Sequence, residues 1–237
     1  MQTVSISFFR FPSWRARLWV LGQMGAGQLA FRAMPEARFW KLCGSGTGEG
    51  FTPVPNTSVW AILTVWDDEV TARRMVGSAK IFKKWRAKSS ENYTVFLTPT
   101  SVRGEWSGKV PFAAETPTKN SPLAALTRAT IKPRTLRHFW RREPDISAAI
   151  GSDPNVLFKI GIGEVPWLHQ VTFSIWPDAE SMAAFARSPD GPHAKAIKAV
   201  RDGGWFKEEL YARFAVTHAT GTWEGRDPLA QPERSAA

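Results

Sequence analysis

Apolar and polar positions change period along this chain in a fixed order, and the order occurs twice. Near the start Val4, Ile6 and Phe8 alternate with Ser5 and Ser7, the period of a strand with one face on a core. Pro12 suits the first turn of a helix that follows. A strand over residues 39–43 comes next, then a glycine-rich loop and a largely apolar, buried strand over 59–66. Asp67 and Asp68 start another helix, where carboxylates favour the positive end of the dipole. Tyr93, Val95 and Leu97 alternate as a closing strand. The second half repeats the series through 129–131, 156–162, 171–175, a helix from Asp178, and 210–216.

Side chains repeat as well as periods. Ser78-Ala-Lys-Ile-Phe-Lys-Lys-Trp-Arg86 is answered by His193-Ala-Lys-Ala-Ile-Lys-Ala-Val-Arg201, with Ala79/Ala194, Lys80/Lys195, Lys83/Lys198 and Arg86/Arg201 matched. Gly104-Glu-Trp106 is answered by Gly221-Thr-Trp223, and Trp66-Asp-Asp-Glu69 by Trp176-Pro-Asp-Ala-Glu180. These echoes keep their order and a near-constant shift, as two copies of about one hundred residues would. The expected class is α+β: tandem duplicated ferredoxin-like (βαββαβ) repeats at 1–106 and 123–223, forming a pseudo-dimer of the dimeric α+β barrel type within one chain. Residues 107–122, rich in Pro, Lys, Thr and Ser, read as the linker, and 224–237 as a flexible tail. Two independent ferredoxin-like domains are the other arrangement that this order permits.

With 237 residues, 43% of them hydrophobic, the chain can bury a sizeable core. Twelve tryptophans suit wide apolar pockets and membrane headgroup contacts as well as ordinary packing. A net charge of +10 favours an anionic partner, lipid headgroups or an acidic redox protein. The charge is spread along helices and no nucleic-acid motif accompanies it, so nucleic acid is not the expected partner. The single cysteine, Cys43, excludes an internal disulfide and fits a reducing cytoplasm. No signal peptide is legible, and the longest apolar stretch, residues 18–31, contains Gln23 and Gln28 and is too short to span a bilayer. Flanked by Arg15, Arg17 and Arg32, it reads as a core-facing helix or as one lying in a membrane interface. The expected location is therefore cytoplasmic, peripheral to a membrane.

Chemistry must come from few groups. His193 shares a helical face with Ala196, Ile197 and Val200, as Ser78 does with Ile81, Phe82 and Trp85. It is expected to point inward near a helix N-terminus, where the dipole keeps its imidazole neutral and available to a metal. A histidine that merely caps the helix is the competing reading. His138 reads as a solvated residue, whereas His169 and His218, at strand ends, are either packed or exposed. No HExxH or paired Cys-x-x-Cys is present, which disfavours zinc hydrolysis, and a single nitrogen ligand suits haem iron. Cys43 is the rival axial ligand, or simply a packed thiol. The loop Gly44-Ser-Gly-Thr-Gly-Glu-Gly50 fits neither a P-loop nor G-x-G-x-x-G, and reads as a flexible hairpin lid.

Ser7-Phe-Phe-Arg-Phe11 and, above all, Phe39-Trp-Lys-Leu-Cys-Gly-Ser-Gly-Thr-Gly-Glu-Gly-Phe-Thr-Pro-Val-Pro-Asn-Thr57 resemble the spheroidene monooxygenase family, the acyclic carotenoid 2-ketolases of purple photosynthetic bacteria. The resemblance runs from the first strand to about Trp223. It implies an oxidoreductase that makes a keto group at C-2 of an acyclic carotenoid by successive O2-dependent hydroxylations. Haem is the implied cofactor and reduced ferredoxin the implied electron donor. His193 occupies the place in the second repeat from which haem proteins of this barrel type commonly take their axial histidine. A non-catalytic, membrane-docking carrier of carotenoid or haem would account for the tryptophans and the charge without any reaction.

Overall fold

The computed structural model describes residues 1–48, 50, 52–116, 121–141, 155–187 and 203–230. The first half runs β1 (Thr3–Arg10), α1 (Trp14–Arg32), β2 (Phe39–Gly46), β3 (Pro55–Trp66), α2 (Glu69–Ser78), α3 (Lys80–Lys88) and β4 (Glu91–Gly104). The second runs β5 (Leu123–Ile131), a 3-10 turn (Pro133–Thr135), β6 (Phe158–Gly163), β7 (His169–Trp176), α4 (Ala179–Arg187) and β8 (Phe206–Gly221). Strands pair in the order β4-β1-β3-β2 in one half and β8-β5-β7-β6 in the other. All pairs are antiparallel. Contacts β4–β8 and β2–β6 join the halves into a single closed barrel. The two seams are unequal: β4 pairs with β8 from Tyr93 to Gly104, whereas β2 meets β6 through Gly44↔Gly163 and Ser45↔Ile162.

Strand alternation sends one row from each strand into the barrel. Val4, Ile6 and Phe8 of β1 meet Ala61, Leu63 and Val65 of β3, Phe158 and Ile160 of β6, and Phe173 and Phe214 from β7 and β8. The interior is therefore filled with side chains, not hollow. Trp106 and Trp223 close it. Each follows a strand-ending glycine with positive φ, Gly104 at 93° and Gly221 at 86°, a backbone turn that glycine makes without strain. Because β4 and β8 are antiparallel, the two indoles lie at opposite ends, one against Phe39 and the other against Phe8.

The outer face of the first half carries a second core, where α1, α2 and α3 cover Phe9, Phe11, Leu42, Ile62 and Phe96. This explains a departure from the expected half-exposed β1. Ser5 and Ser7 are buried beneath the helices, satisfied by bonds in which Trp66 Nε1 donates to Ser5 Oγ (2.8 Å) and Thr94 Oγ1 donates to Ser7 Oγ (2.8 Å). Helix starts follow expectation more closely. Asp68 caps α2 by accepting from Thr71 N at 2.7 Å, and Asp178 accepts from Ser181 N at 2.7 Å before α4.

The segment expected to form one helix from Ser78 is broken at Ala79, whose ψ of 140° separates α2 from α3. Arg86 stabilises the break, donating to the Val76 and Gly77 carbonyls at 2.7 and 2.8 Å. Ile81, Phe82 and Trp85 are buried as their spacing predicts. Ser78 is not; it is exposed, and its hydroxyl donates to Arg74 O. The first-half premise behind an inward-pointing His193 therefore needs correcting, and the buried face lies on the outside of the sheet, not in the barrel.

Three connecting segments are also more tightly held than their composition suggests. Phe112, in the expected linker, packs at 5.2 Å from Phe214. Glu91 accepts from Gly225 N at 2.8 Å, which holds the start of the expected tail against β4. The glycine-rich turn after β2 is docked on β6: Ser45 Oγ donates to Gly161 O at 2.7 Å, and a Cβ on Gly50 would collide with that carbonyl oxygen. Gly50 serves close approach to a neighbouring strand. Among the described residues no helix is long and apolar enough to cross a membrane.

Candidate functional site

Five of the inward rows carry a charged or titratable side chain toward the same end of the barrel. Lys41 interrupts the Phe39/Cys43 row of β2, Arg128 continues the Ala124/Leu126 row of β5, and Glu164 the Ile160/Ile162 row of β6. His169 begins the Val171/Phe173 row of β7, and Glu208 precedes Leu210 and Ala212 in β8. Charges placed in an apolar barrel must pair. Lys41 Nζ lies 2.8 Å from Glu164 Oε1 and donates to Ser107 Oγ at 2.7 Å. Trp106 Nε1 donates to the same Glu164 oxygen at 3.0 Å. Arg128, its side chain only 1% exposed, pairs with Glu208 and lies 3.9 Å from Glu164 Oε2. Glu208 also accepts from Ser107 N and Gly108 N.

Glu164 is the hub. Burial alone would push its carboxyl up, but His169, Lys41 and Trp106 beside it outweigh burial and hold it at about 2. His169 Nδ1 approaches Glu164 Oε2 to 3.2 Å, within ion-pair range but out of line for a hydrogen bond, so both atoms are buried without an aligned partner. A buried nitrogen and oxygen in that state are the sort of polar atoms that functional sites retain.

Glu164 and His169 also line a cleft of 680 Å³ outside the short β2–β6 seam. One wall is α1, through Trp14, Leu18, Leu21 and Met24. The others are the β2–β3 hairpin with Trp60, the β6–β7 hairpin with Pro166 and Trp167, and Trp140. The cleft is open, mostly apolar, and its aromatic lining is tryptophan. Trp167, at φ 64°, is fixed across its mouth by donating from Nε1 to Pro53 O at 2.8 Å. An apolar trough with one carboxylate-backed imidazole in its wall can hold a greasy molecule and handle a proton beside it.

Among the described histidines, His169 is the one in this cleft. His138 is exposed and stacks on Trp205 at 6.5 Å, as a solvated residue would, and His218 packs beside Phe96 at 5.8 Å. His193 lies outside the described residues. Cys43 is fully buried in the barrel core. Burial, and secondarily the Glu164 charge, push its thiol well up against the opposing pull of Lys41 and Arg128. Axial ligation there would require opening the core. We expect alkylation of Cys43 to be at least ~100-fold slower in the folded protein than in denaturant, since the thiolate is the reacting form. A mass-spectrometric time course with iodoacetamide checks this.

The barrel and cleft can be set beside known proteins. No family model matches the chain. A spheroidene monooxygenase of Cereibacter sphaeroides is 56% identical over 232 residues, covering 98% of this chain and 72% of that protein. One from Rhodobacter capsulatus is 50% identical, covering 97% and 96%. The chain belongs to the spheroidene monooxygenase family. A more distant member, from Rubrivivax gelatinosus, is 33% identical over 89% of this chain and 81% of its own length. Among solved structures, an aldoxime dehydratase in complex with butyraldoxime superposes with a TM-score of 0.59 at 11% identity, over 91% of this chain and 80% of its own. A second aldoxime dehydratase gives 0.56 at 12%, over 91% and 82%. At such identities the likeness is one of fold alone. The family's match spans nearly the whole chain and therefore both halves of the barrel.

Proposed function

We propose that this chain is a monooxygenase of the spheroidene type, converting the C-2 methylene of an acyclic carotenoid to a ketone, spheroidene to spheroidenone, by two O2-dependent hydroxylations. The observation that carries the proposal is the 56% and 50% identity to relatives of that name across almost the full chain. The cleft supports it, because a long polyene needs an apolar, aromatic trough with few polar groups. Each hydroxylation consumes O2, two electrons and two protons and releases one water. The second gives a geminal diol that loses water to the ketone. The electrons come from a one-electron donor of the reduced ferredoxin class, whose acidity suits a chain of net charge +10.

Haem, when bound, would supply the oxygen activation. The described residues suit it in one respect: the cleft is apolar and presents one imidazole, His169, backed by Glu164. His193 is the proposed axial ligand by its place in the chain. His169 would then pass protons and Glu164, 3.2 Å from its Nδ1, would hold its ring in place. We also read the two halves as tandem copies of one ferredoxin-like unit, for which the shared strand order is the support.

Spheroidene supplied with O2 and a ferredoxin-type reductant to the haem-loaded protein should become spheroidenone. A non-catalytic carrier would return the substrate unaltered. The His193→Ala variant should lose or shift the Soret band of that preparation. An unshifted band would remove His193 and pass the ligand role to another residue.

A further inference from the structure

We infer that the outward face of α1, with the tip of the β6–β7 hairpin, is a docking surface for an anionic phospholipid bilayer. The inference gains its purpose from the spheroidene reading, since that substrate is lipid-soluble, but the surface itself is read from burial and charge. α1 buries Val20, Gly27 and Phe31 against the sheet. On its other side Trp14, Leu18, Leu21 and Leu29 lie along one stripe at helical spacing and are 65%, 59%, 57% and 65% exposed. Single exposed leucines are ordinary, but a row of four large apolar side chains on one helix face is not. Across the cleft mouth Trp167 is 52% exposed as well.

Charge selects the occupant. α1 contains Arg15, Arg17 and Arg32 and no carboxylate. Arg15 and Arg17 flank the stripe on its two sides, and the Arg15 guanidinium lies 5.4 Å from the Trp14 ring centre. Tryptophans and leucines bordered by arginines are the composition of an interfacial helix, in which the apolar row enters the acyl boundary and the cations meet phosphate. Trp14, Leu18 and Leu21 are at once members of the stripe and walls of the cleft. A polyene leaving the bilayer would therefore reach the cleft without crossing water.

Flotation with vesicles tests the surface without any need for turnover, so its failure and that of the proposed reaction are read apart. The full chain should bind equimolar phosphatidylcholine–phosphatidylglycerol vesicles at least ~10-fold more tightly than pure phosphatidylcholine, and less tightly as salt rises. Arg15→Glu with Arg32→Glu should cost roughly fivefold or more per site, and Leu29→Asp about tenfold. These three side chains are exposed and none lines the cleft, so the melting temperature should stay that of the parent. Equal binding to both vesicle types, or variants that bind like the parent, would overturn the inference. So would sedimentation velocity showing that the stripe instead holds two copies of the chain together.

Discussion

Replacing Glu164 by glutamine is expected to cost about 3 kcal/mol of stability near neutral pH. The carboxyl sits at about 2 against the usual 4.5, because three neighbours favour its charged form more than burial disfavours it. Glutamine keeps the shape and can still accept from Trp106 Nε1. It removes the negative charge between Lys41 and Arg128 and leaves two cations in a barrel end with Glu208 as their remaining carboxylate. Removing one partner of a buried pair strands the other, typically at a cost of about 3–5 kcal/mol. For a chain of this size that corresponds to a melting temperature lower by roughly 6–12 °C.

The sign with pH follows from linkage. A depressed folded value means that the stabilisation is fully present above about 4.5 and is lost as pH falls through about 2. The parent should therefore lose stability more steeply than Glu164→Gln between those values, and the two should converge in strong acid. Thermal unfolding at a series of pH values measures both. Parallel curves would mean that the Glu164 carboxylate is no better stabilised in the folded chain than in the unfolded one.

Most of the barrel was legible because its signals are local. Alternation in 4–8, 93–97 and 210–216 marks strands whatever they pair with, and Asp68 and Asp178 mark helix starts by a bond within one turn. What was misjudged depends on distant covers. Ser5 and Ser7 look solvent-facing until Trp66 and Thr94 are brought over them by register. The apolar run of α1 reads as core or as interface, because its sequence does not say which side the sheet takes. The break at Ala79 depends on Arg86 reaching back across a turn.

The charged barrel end escaped for a related reason. Its members come from five strands, and motif spacing sees only residues near in sequence. Yet some left a trace: Ile160, Ile162, Glu164 and Glu208, Leu210, Ala212 are period-two rows that turn from apolar to charged. Reading where inward rows turn polar would have singled out Glu164 and His169, and raised His169 above His138 and His218.

For His169→Gln the expected result is the reverse of that for Glu164→Gln: a stable protein that converts spheroidene about 100-fold more slowly or worse. Under the proposed reaction each hydroxylation must receive two protons inside a cleft whose walls are mostly apolar. Among the described residues His169 is the imidazole in that wall. Its Nδ1 is buried beside Glu164, which leaves the other edge of the ring to account for its exposure. Glutamine has similar reach, can offer Glu164 an N–H donor, and cannot take up and release a proton near neutral pH. Losing a positioned acid–base group typically costs 10²–10⁴-fold in rate. Turnover and melting temperature measured on one preparation separate this from damage to the fold. A parent-like rate would remove His169 from proton transfer, and a melting temperature as low as that of Glu164→Gln would make its role a structural one.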